Sequence, residues 1–304
     1  MPRKVRITAI QIPHEIRGAN AQEKYACNLK NIEQYLTMAG EAGCDLTGIG
    51  ECSNTRGLSP EEKKEVLGPI EGGREFEIGA RLAKKYNMNI VLGIAGFEGE
   101  QRRNVGVVID RKGEIAGIYR KVQLTRGEVL GGVVPGDDYP VFDLDFGRIG
   151  VVICHDLSFA ESTRILGVRR AEIIMWPSNW SGWGRDLSNC MIRCRAIDSG
   201  AFLVFLSHAG SPKTPASWKS GVAGCTCVVS PMGEIVAQCP QRAPGIVSID
   251  VDLDIKRIAP GFSFDGTDVF MDEMLCERRP EVYGPLCDPA LVPPPPRDHR
   301  KSQA

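Results

Sequence analysis

The chain has 304 residues, of which 37 are lysine or arginine and 38 are aspartate or glutamate, so its formal net charge is −1. A protein that binds nucleic acid by neutralising phosphates needs a basic excess or a basic stripe, and this balance argues against such a partner. Apolar residues make up 42% of the chain and charged residues 25%, which excludes a disordered or coiled-coil protein and indicates a globular one.

The first half of the sequence alternates predicted strands and helices. Residues 4–11 alternate apolar and polar side chains with period two, which is typical of a half-buried strand. A strand is also predicted at 45–49, a helix around 76–83, and strands at 90–94, 105–109 and 115–119, the last two joined by a tight turn. Before them, apolar residues at steps of three and four predict one face of a helix: Tyr25, Leu29, Ile32, Leu36 and Ala39.

The second half repeats this alternation and ends in a Pro-rich segment. Strands are predicted at 148–154, 172–176, 202–207 and 245–251, helices at 161–167 and around 187–201, and a hairpin from 225 to 237. Helices alternating with buried strands predict an α/β fold, with a mixed sheet or a pair of sheets covered by helices. No Pro/Gly/Ser-rich linker precedes Pro289, so we predict a single domain at 1–285 and a Pro-rich C-terminal tail at 286–304.

The eleven cysteines form no regular framework. Their count is odd and the first residues lack the apolar segment of a signal peptide, so we expect a cytoplasmic protein with reduced thiols. No apolar run approaches the length of about 20 residues that spans a membrane, so no membrane partner is expected. Cys190 and Cys194 share the apolar face of a predicted helix, and no pair has the two-residue spacing of a structural zinc site. We interpret most of the cysteines as core residues and expect no metal.

Three reactive residues follow predicted strands, where functional groups of α/β proteins collect. Glu51 follows the strand at 45–49, Lys121 follows the one at 115–119, and Cys154 ends the most apolar strand of the second half. Singly, each is best explained as a solvated or a packing residue. Together they comprise a base, an electrophilic clamp and a nucleophile, in which the ammonium lowers the thiol pKa and the carboxylate takes the thiol proton. Spacing leaves open whether the three converge.

The segments around these residues resemble the nitrilase superfamily of carbon–nitrogen hydrolases, from about Val5 to Tyr283. The resemblance implies a four-layer α-β-β-α sandwich of two mixed sheets covered by helices, which forms homodimers or higher homo-oligomers. Each matching piece is weak alone, but their order and intervals are specific. The pieces are Gly50-Glu51, residues 117–124, residues 135–137, residues 147–156, Arg195-Ala196 and residues 231–235.

The resemblance also implies a role for each reactive residue. Cys154 becomes the nucleophile, Glu51 the general base and Lys121 the clamp on the tetrahedral intermediate. Glu128 falls where the family has a second glutamate that positions the lysine and the reactants. The backbone N–H of His155 directly follows the nucleophile and is the expected second oxyanion donor. This chemistry requires no cofactor.

The residues after the nucleophile favour amide over nitrile chemistry, again by resemblance. Nitrile hydrolases of the superfamily tend to have Trp-Glu after the cysteine, whereas Cys154-His155-Asp156 is similar to the amide and carbamoyl hydrolases. Residues 157–159 lack the arginine pair with which N-carbamoyl-D-amino-acid hydrolases hold a carboxylate. A carboxylated carbamoyl substrate is therefore not favoured, and the near-neutral chain suits a small uncharged amide.

We therefore predict an enzyme that hydrolyses a non-peptide carbon–nitrogen bond, in an amide or a carbamoyl amide, through a cysteine thioester with release of ammonia. Its expected partners are a small amide-type substrate and water. Asn179 and Trp180 follow the strand beside the nucleophile strand and are candidate substrate-binding residues, with a purely structural loop as an equal interpretation. Two functional alternatives stay open: nitrile hydrolysis by the same residues, and a non-catalytic oligomeric scaffold of the same fold.

Overall fold

The computed structural model describes residues 3–179, 185–210, 224–255 and 277–291, with side chains of the second range from residue 189 onward. Its strands are β1 (Lys4–Ile12), β2 (Leu46–Gly48), β3 (Asn89–Glu98), β4 (Gln101–Ile109), β5 (Ile115–Arg120), β6 (Val141–Leu144), β7 (Gly147–Val151), β8 (Ile173–Pro177), β9 (Phe202–His208), β10 (Cys227–Val229), β11 (Ile235–Gln238) and β12 (Gly245–Asp252). Its helices are α1 (Ala21–Glu41), α2 (Pro60–Val66), α3 (Arg74–Tyr86), α4 (Arg126–Leu130), α5 (Ala160–Val168), α6 (Arg185–Ser199) and α7 (Gly284–Cys287). Short 3₁₀ helices cover Ser53–Thr55, Cys154–Ser158, Pro280–Val282 and Pro289–Leu291.

The central strands are parallel, and this arrangement determines where the site lies. The strand order is β5-β4-β3-β2-β1-β9-β8-β7-β6, with β12 antiparallel to β1 and the β10–β11 hairpin on β9. Every neighbouring pair from β3 to β7 is parallel, whereas antiparallel pairs join β4, β5 and β6 to this centre. The carboxyl ends of β3, β2, β1, β9, β8 and β7 therefore meet at one edge, and β5, which runs parallel to β3, ends there as well.

The two halves of this strand order lie against each other. A Cβ atom added at Gly106 in β4 would lie 2.7 Å from Val151 in β7, and one added at Gly93 in β3 would lie 2.8 Å from Pro177 in β8. Only glycine allows so close an approach, because any side chain would collide with the facing strand. This packing brings the end of β5 close to the end of β7.

Apolar residues bury both faces of the strands. Alternate residues of β1 enter different clusters: Ile7 packs with the residues between the two halves, whereas Ile10 packs beneath α1 and α3. The predicted apolar face of α1 is buried as expected: Tyr25, Leu29, Ile32, Leu36 and Ala39. The prediction of a mixed α/β fold with a sheet-dominated core covered by helices is therefore confirmed.

Two details of the sequence interpretation are wrong. Strand β7 ends at Val151, so Cys154 begins a 3₁₀ helix rather than ending the strand. Cys190 and Cys194 are exposed, because the buried face of α6 carries Ile192 and Ala196 instead. Both faces of this helix carry small or apolar residues, so periodicity alone selected the wrong one.

The chain divides into two compact units, Met1–Arg257 and Ile258–Ala304. In the second unit the described residues form two 3₁₀ helices and the short helix α7. The boundary that we place at residue 285 stays a prediction. None of the described helices combines the length and apolar character that a membrane span requires.

Candidate active site

A buried ammonium joins two carboxylates at the edge where the parallel strands end. The Lys121 Nζ atom lies 2.8 Å from Glu51 Oε1 and 2.9 Å from both carboxylate oxygens of Glu128. The Lys121 side chain is 1% exposed and that of Glu51 is 7% exposed. Lys121 and Glu51 are 70 positions apart in the sequence, and the parallel arrangement of β2 and β5 brings them together.

Asn104 ties the two carboxylates to each other. Its side-chain amide nitrogen donates to Glu51 Oε1 and to Glu128 Oε1, each at 2.8 Å. Asn104 lies in β4 and is buried. Asn104 was not predicted from the sequence, although a polar side chain directly before the apolar run of β4 is a signal that the sequence contains.

Glu128 is held in place by the first turn of α4. Thr125 caps this helix, and the Glu128 carboxylate in turn accepts hydrogen bonds from the backbone N–H and the hydroxyl of Thr125, each at 2.8 Å. This reciprocal pair is a capping box, which fixes the glutamate by local hydrogen bonds that do not depend on the lysine. Glu128 can therefore orient Lys121 without moving with the loop that follows.

The backbone at Cys154 is fixed in an unusual conformation. Its φ angle is +46°, in the left-handed region that non-glycine residues rarely occupy. The indole N–H of Trp176 donates to the Cys154 carbonyl at 3.1 Å. Such strain persists only where neighbours hold the residue, and it is frequent at functional sites.

Asp156 is the second anchor of this turn. Its carboxylate accepts from the backbone N–H groups of Ile153 and Gln123 and from the hydroxyl of Tyr119, each at 2.7 Å. Complete burial raises the pKa of Asp156 to about 6 despite these hydrogen bonds. Because Gln123 and Tyr119 belong to the segment around Lys121, Asp156 joins the nucleophile turn to the lysine segment.

Burial and charge set the protonation states in the cluster. Burial opposes the charged form of Lys121, but Glu51, Cys154 and Glu128 outweigh it and raise the lysine pKa. Burial likewise opposes the charged form of Glu128, but Lys121 and the Thr125 backbone outweigh it and lower the pKa of the carboxyl. The ammonium and the Glu128 carboxylate are therefore both charged at neutral pH.

The Cys154 thiol differs from the sequence expectation. Burial, followed by the charge of Glu51, raises the pKa of Cys154, and the opposing effect of Lys121 is smaller. From the sequence we expected the ammonium to lower the pKa of the thiol. In the structure the pKa is raised instead, so Cys154 rests as a thiol and not as a thiolate. Glu51 lies close enough to Cys154 for its charge to act on the thiol, so a carboxylate is available to take the thiol proton during attack.

The predicted substrate-binding residues lie around this cluster, as far as the structure describes them. The Asn179 backbone N–H donates to Glu51 Oε2 at 2.9 Å, and the residue is exposed at the end of β8. His155 follows the nucleophile, and its ring packs edge-on against Phe159, with centroids 5.2 Å apart. Trp180 lies outside the described residues.

A family model and several known proteins match this chain. The model described as carbon-nitrogen hydrolase matches residues 6–258. The chain belongs to the carbon-nitrogen hydrolase family. This assignment confirms the predicted membership of the nitrilase superfamily and identifies the chain as one of its hydrolases.

Proteins similar to this chain include both nitrilases and amidases. A probable nitrilase from Schizosaccharomyces pombe is 30% identical over 244 residues, covering 79% of this chain and 80% of that protein. The deaminated glutathione amidase of Homo sapiens is 27% identical over 283 residues, covering 86% and 80%. An amidase from Nesterenkonia sp. is 22% identical with a TM-score of 0.73, covering 93% of this chain and 96% of that chain. Another structure of that amidase carries acrylamide added at its active-site cysteine.

Proposed function

We propose that this carbon–nitrogen hydrolase converts an amide and water to a carboxylic acid and ammonia, through a thioester at Cys154. The observation that supports it most is the buried cluster in which the Cys154 thiol, the Glu51 carboxylate and the Lys121 ammonium meet. The amidase names among its relatives agree with this choice. We also infer the four-layer arrangement of the superfamily, which the close approach of β4 to β7 supports.

The first half of the reaction forms the thioester. As the Cys154 sulfur attacks the carbonyl carbon, the thiol proton passes to the Glu51 carboxylate. The carbonyl oxygen becomes negative, and the Lys121 ammonium and the His155 backbone N–H stabilise it. The tetrahedral intermediate then collapses, its carbon–nitrogen bond breaks, and the leaving amine takes the proton from Glu51 and departs as ammonia.

The second half releases the acid. A water molecule gives a proton to Glu51 as its oxygen attacks the thioester carbon, and the same oxyanion donors stabilise the second intermediate. The carbon–sulfur bond breaks, and Glu51 returns its proton to the Cys154 sulfur. Because Glu51 gains and loses one proton in each half, a thiol with a raised pKa starts and ends the cycle protonated.

Ammonia release tests this proposal. The purified protein is incubated with a panel of short amides, aryl amides, carbamoyl compounds and nitriles, and ammonia is measured with time. We expect release from amides in the wild type and none above background in Cys154→Ala.

Cys44→Ala is the matched control, because Cys44 is a buried thiol beneath α1, outside the cluster. Its activity should stay within about threefold of wild type. Release that survives Cys154→Ala would refute the mechanism. If the folded wild type releases ammonia from no compound of the panel, the scaffold alternative is favoured instead.

A further inference from the structure

Arg56 is a partly buried cation next to the proposed active site, and no carboxylate of the described residues pairs with it. It follows the 3₁₀ helix Ser53–Thr55, five positions after Glu51. Its guanidinium donates to the side-chain oxygen of Asn179 at 2.8 Å and to the His14 carbonyl at 3.3 Å. Its buried Nε–H has no hydrogen-bond partner within the described ranges. A guanidinium has five N–H groups, so several donors of Arg56 stay available.

The environment of Arg56 is unfavourable for a cation. Burial lowers the pKa of Arg56 to about 10, so the side chain still carries its charge at neutral pH. A desolvated charge without a counter-ion destabilises a protein, and proteins normally pair or remove it. An arginine that lies beside an active site, stays charged and has no carboxylate partner is typical of a subsite for an anionic group of the substrate.

Two histidines extend this site without adding charge. His14 follows β1 and His208 ends β9, so both lie at the edge where the parallel strands end. Their ring centroids are 5.5 Å apart. Burial, together with the charge of Arg56, lowers the pKa of both rings, that of His208 to about 2, so they are neutral at neutral pH. Among the residues that the structure describes, the buried Nδ1 atom of His14 also has no hydrogen-bond partner. Arg56, His14 and His208 together therefore carry one positive charge, and they have hydrogen-bonding groups that they do not use among themselves.

Asn179 connects Arg56 to Glu51, the proposed base. Its side-chain oxygen accepts from Arg56, while its backbone N–H donates to Glu51 Oε2. Asn179 is exposed, so the contact between it and Arg56 lies at the open side of the site. A short substrate with its amide at Cys154 could therefore reach Arg56 with its other end.

We propose that Arg56, flanked by His14 and His208, binds a carboxylate of the substrate, and that the enzyme prefers amides bearing a carboxylate over uncharged amides. This inference rests on the proposed amide hydrolysis. It departs from the expectation of an uncharged amide, which was based on the residues directly after Cys154 and on the near-neutral charge of the chain. The carboxylate would accept hydrogen bonds from the guanidinium and compensate its charge.

Matched substrates test the preference. The monoamides malonamate, succinamate and glutaramate are compared with uncharged butyramide and succinamide, and kcat/KM is measured from ammonia release. In the wild type, the best monoamide should exceed the uncharged amides at least tenfold. Arg56→Gln should lower the ratio of the two kcat/KM values by roughly 30-fold, and Arg56→Lys, which keeps the charge but loses the planar fork, by less. Arg103→Gln removes another partly buried arginine, which bonds the Val134 and Pro135 carbonyls, and should leave the ratio unchanged.

A binding measurement separates this inference from the proposed function. In Cys154→Ala, calorimetry should show succinamate binding more tightly than butyramide, and Arg56→Gln in the same protein should abolish the difference. If Arg56→Gln lowers kcat/KM by the same factor for the monoamides and for the uncharged amides, the arginine only positions Asn179 and the inference is refuted. Wild-type enzyme without any preference for monoamides refutes it as well, while amide hydrolysis stands. Arg56-dependent succinamate binding in a protein that hydrolyses no amide would support the anion site and refute the proposed function.

Discussion

Replacing Asn104 with aspartate removes the amide that bridges Glu51 and Glu128 while keeping the size of the side chain. In the wild type one NH₂ group donates to both carboxylates at 2.8 Å. An ionised aspartate at this position would donate to neither and would place a third carboxylate beside a single ammonium. Hydrogen bonds to charged groups contribute about 1.5–3 kcal/mol each. If about 2–3 kcal/mol of this loss reaches the transition state, kcat/KM falls roughly 30- to 150-fold.

The pH dependence of Asn104→Asp distinguishes lost hydrogen bonding from a simple packing defect. Neighbouring carboxylates favour the neutral form of a buried acid, and the introduced aspartate, once protonated, recovers one O–H donor. The deficit in kcat/KM relative to wild type should therefore shrink as the pH falls from 8 to 6. The assay is ammonia release from the best amide substrate at each pH, with thermal unfolding measured in parallel.

Asn89→Asp is the control for this experiment. Asn89 is equally buried and its amide donates to the Asp145 carboxylate at 2.9 Å, but it lies at the opposite end of β3 from the cluster. This variant should lose stability and keep kcat/KM within about threefold of wild type. A deficit in Asn104→Asp that is smaller than about threefold, or that is equal at pH 6 and pH 8, would refute the bridging role.

Three further predictions concern the nucleophile turn. Because burial raises the pKa of Asp156 from 3.8 to about 6, the native state holds this proton more tightly than the unfolded state, and the free energy of unfolding should fall by about 2 kcal/mol as the pH rises from 4 to 6. Urea titrations should show that slope in wild type relative to Asp156→Asn, and parallel curves would contradict it. Methyl methanethiosulfonate at pH 7.5 should modify the exposed Cys190 before Cys154, whose pKa is raised. Mass spectrometry of the labelled peptides measures the order, and earlier labelling of Cys154 would contradict the prediction. Glu51→Gln removes a negative charge that raises the pKa of Cys154, so the labelling of Cys154 should shift to lower pH, and an unchanged profile would argue against their contact.

The fold was predictable where one local pattern dominates. The apolar face of α1 and the alternation in β1 give correct elements, because helix and strand periods differ clearly over their lengths. The short elements β6, α2 and α4 were missed, since four to seven residues carry too little periodicity. The register of β1 with β12, from Lys4–Asp252 to Gln11–Gly245, depends on packing and has no local signal.

The site was predictable only in part. Glu51, Lys121 and Cys154 were singled out by their positions at predicted strand ends, and the resemblance gave them roles and added Glu128, whereas their convergence depends on the parallel strand order. The direction of the Cys154 pKa shift was wrong because burial, which the sequence does not state, outweighs the nearby ammonium. Asn104 and Arg56 carry no motif, and their contacts became visible only in three dimensions.

The register of β1 also has a consequence for synthesis on the ribosome. Lys4–Gln11 pairs with the strand Gly245–Asp252, which is made about 240 residues later. At roughly 5–20 residues per second, β1 waits on the order of 12 to 50 seconds before this partner exists. During that time the edge of β1 that β12 will cover presents unpaired backbone groups, which is a risk for aggregation. Folding of the first unit is therefore completed only late in translation, however early its first half collapses.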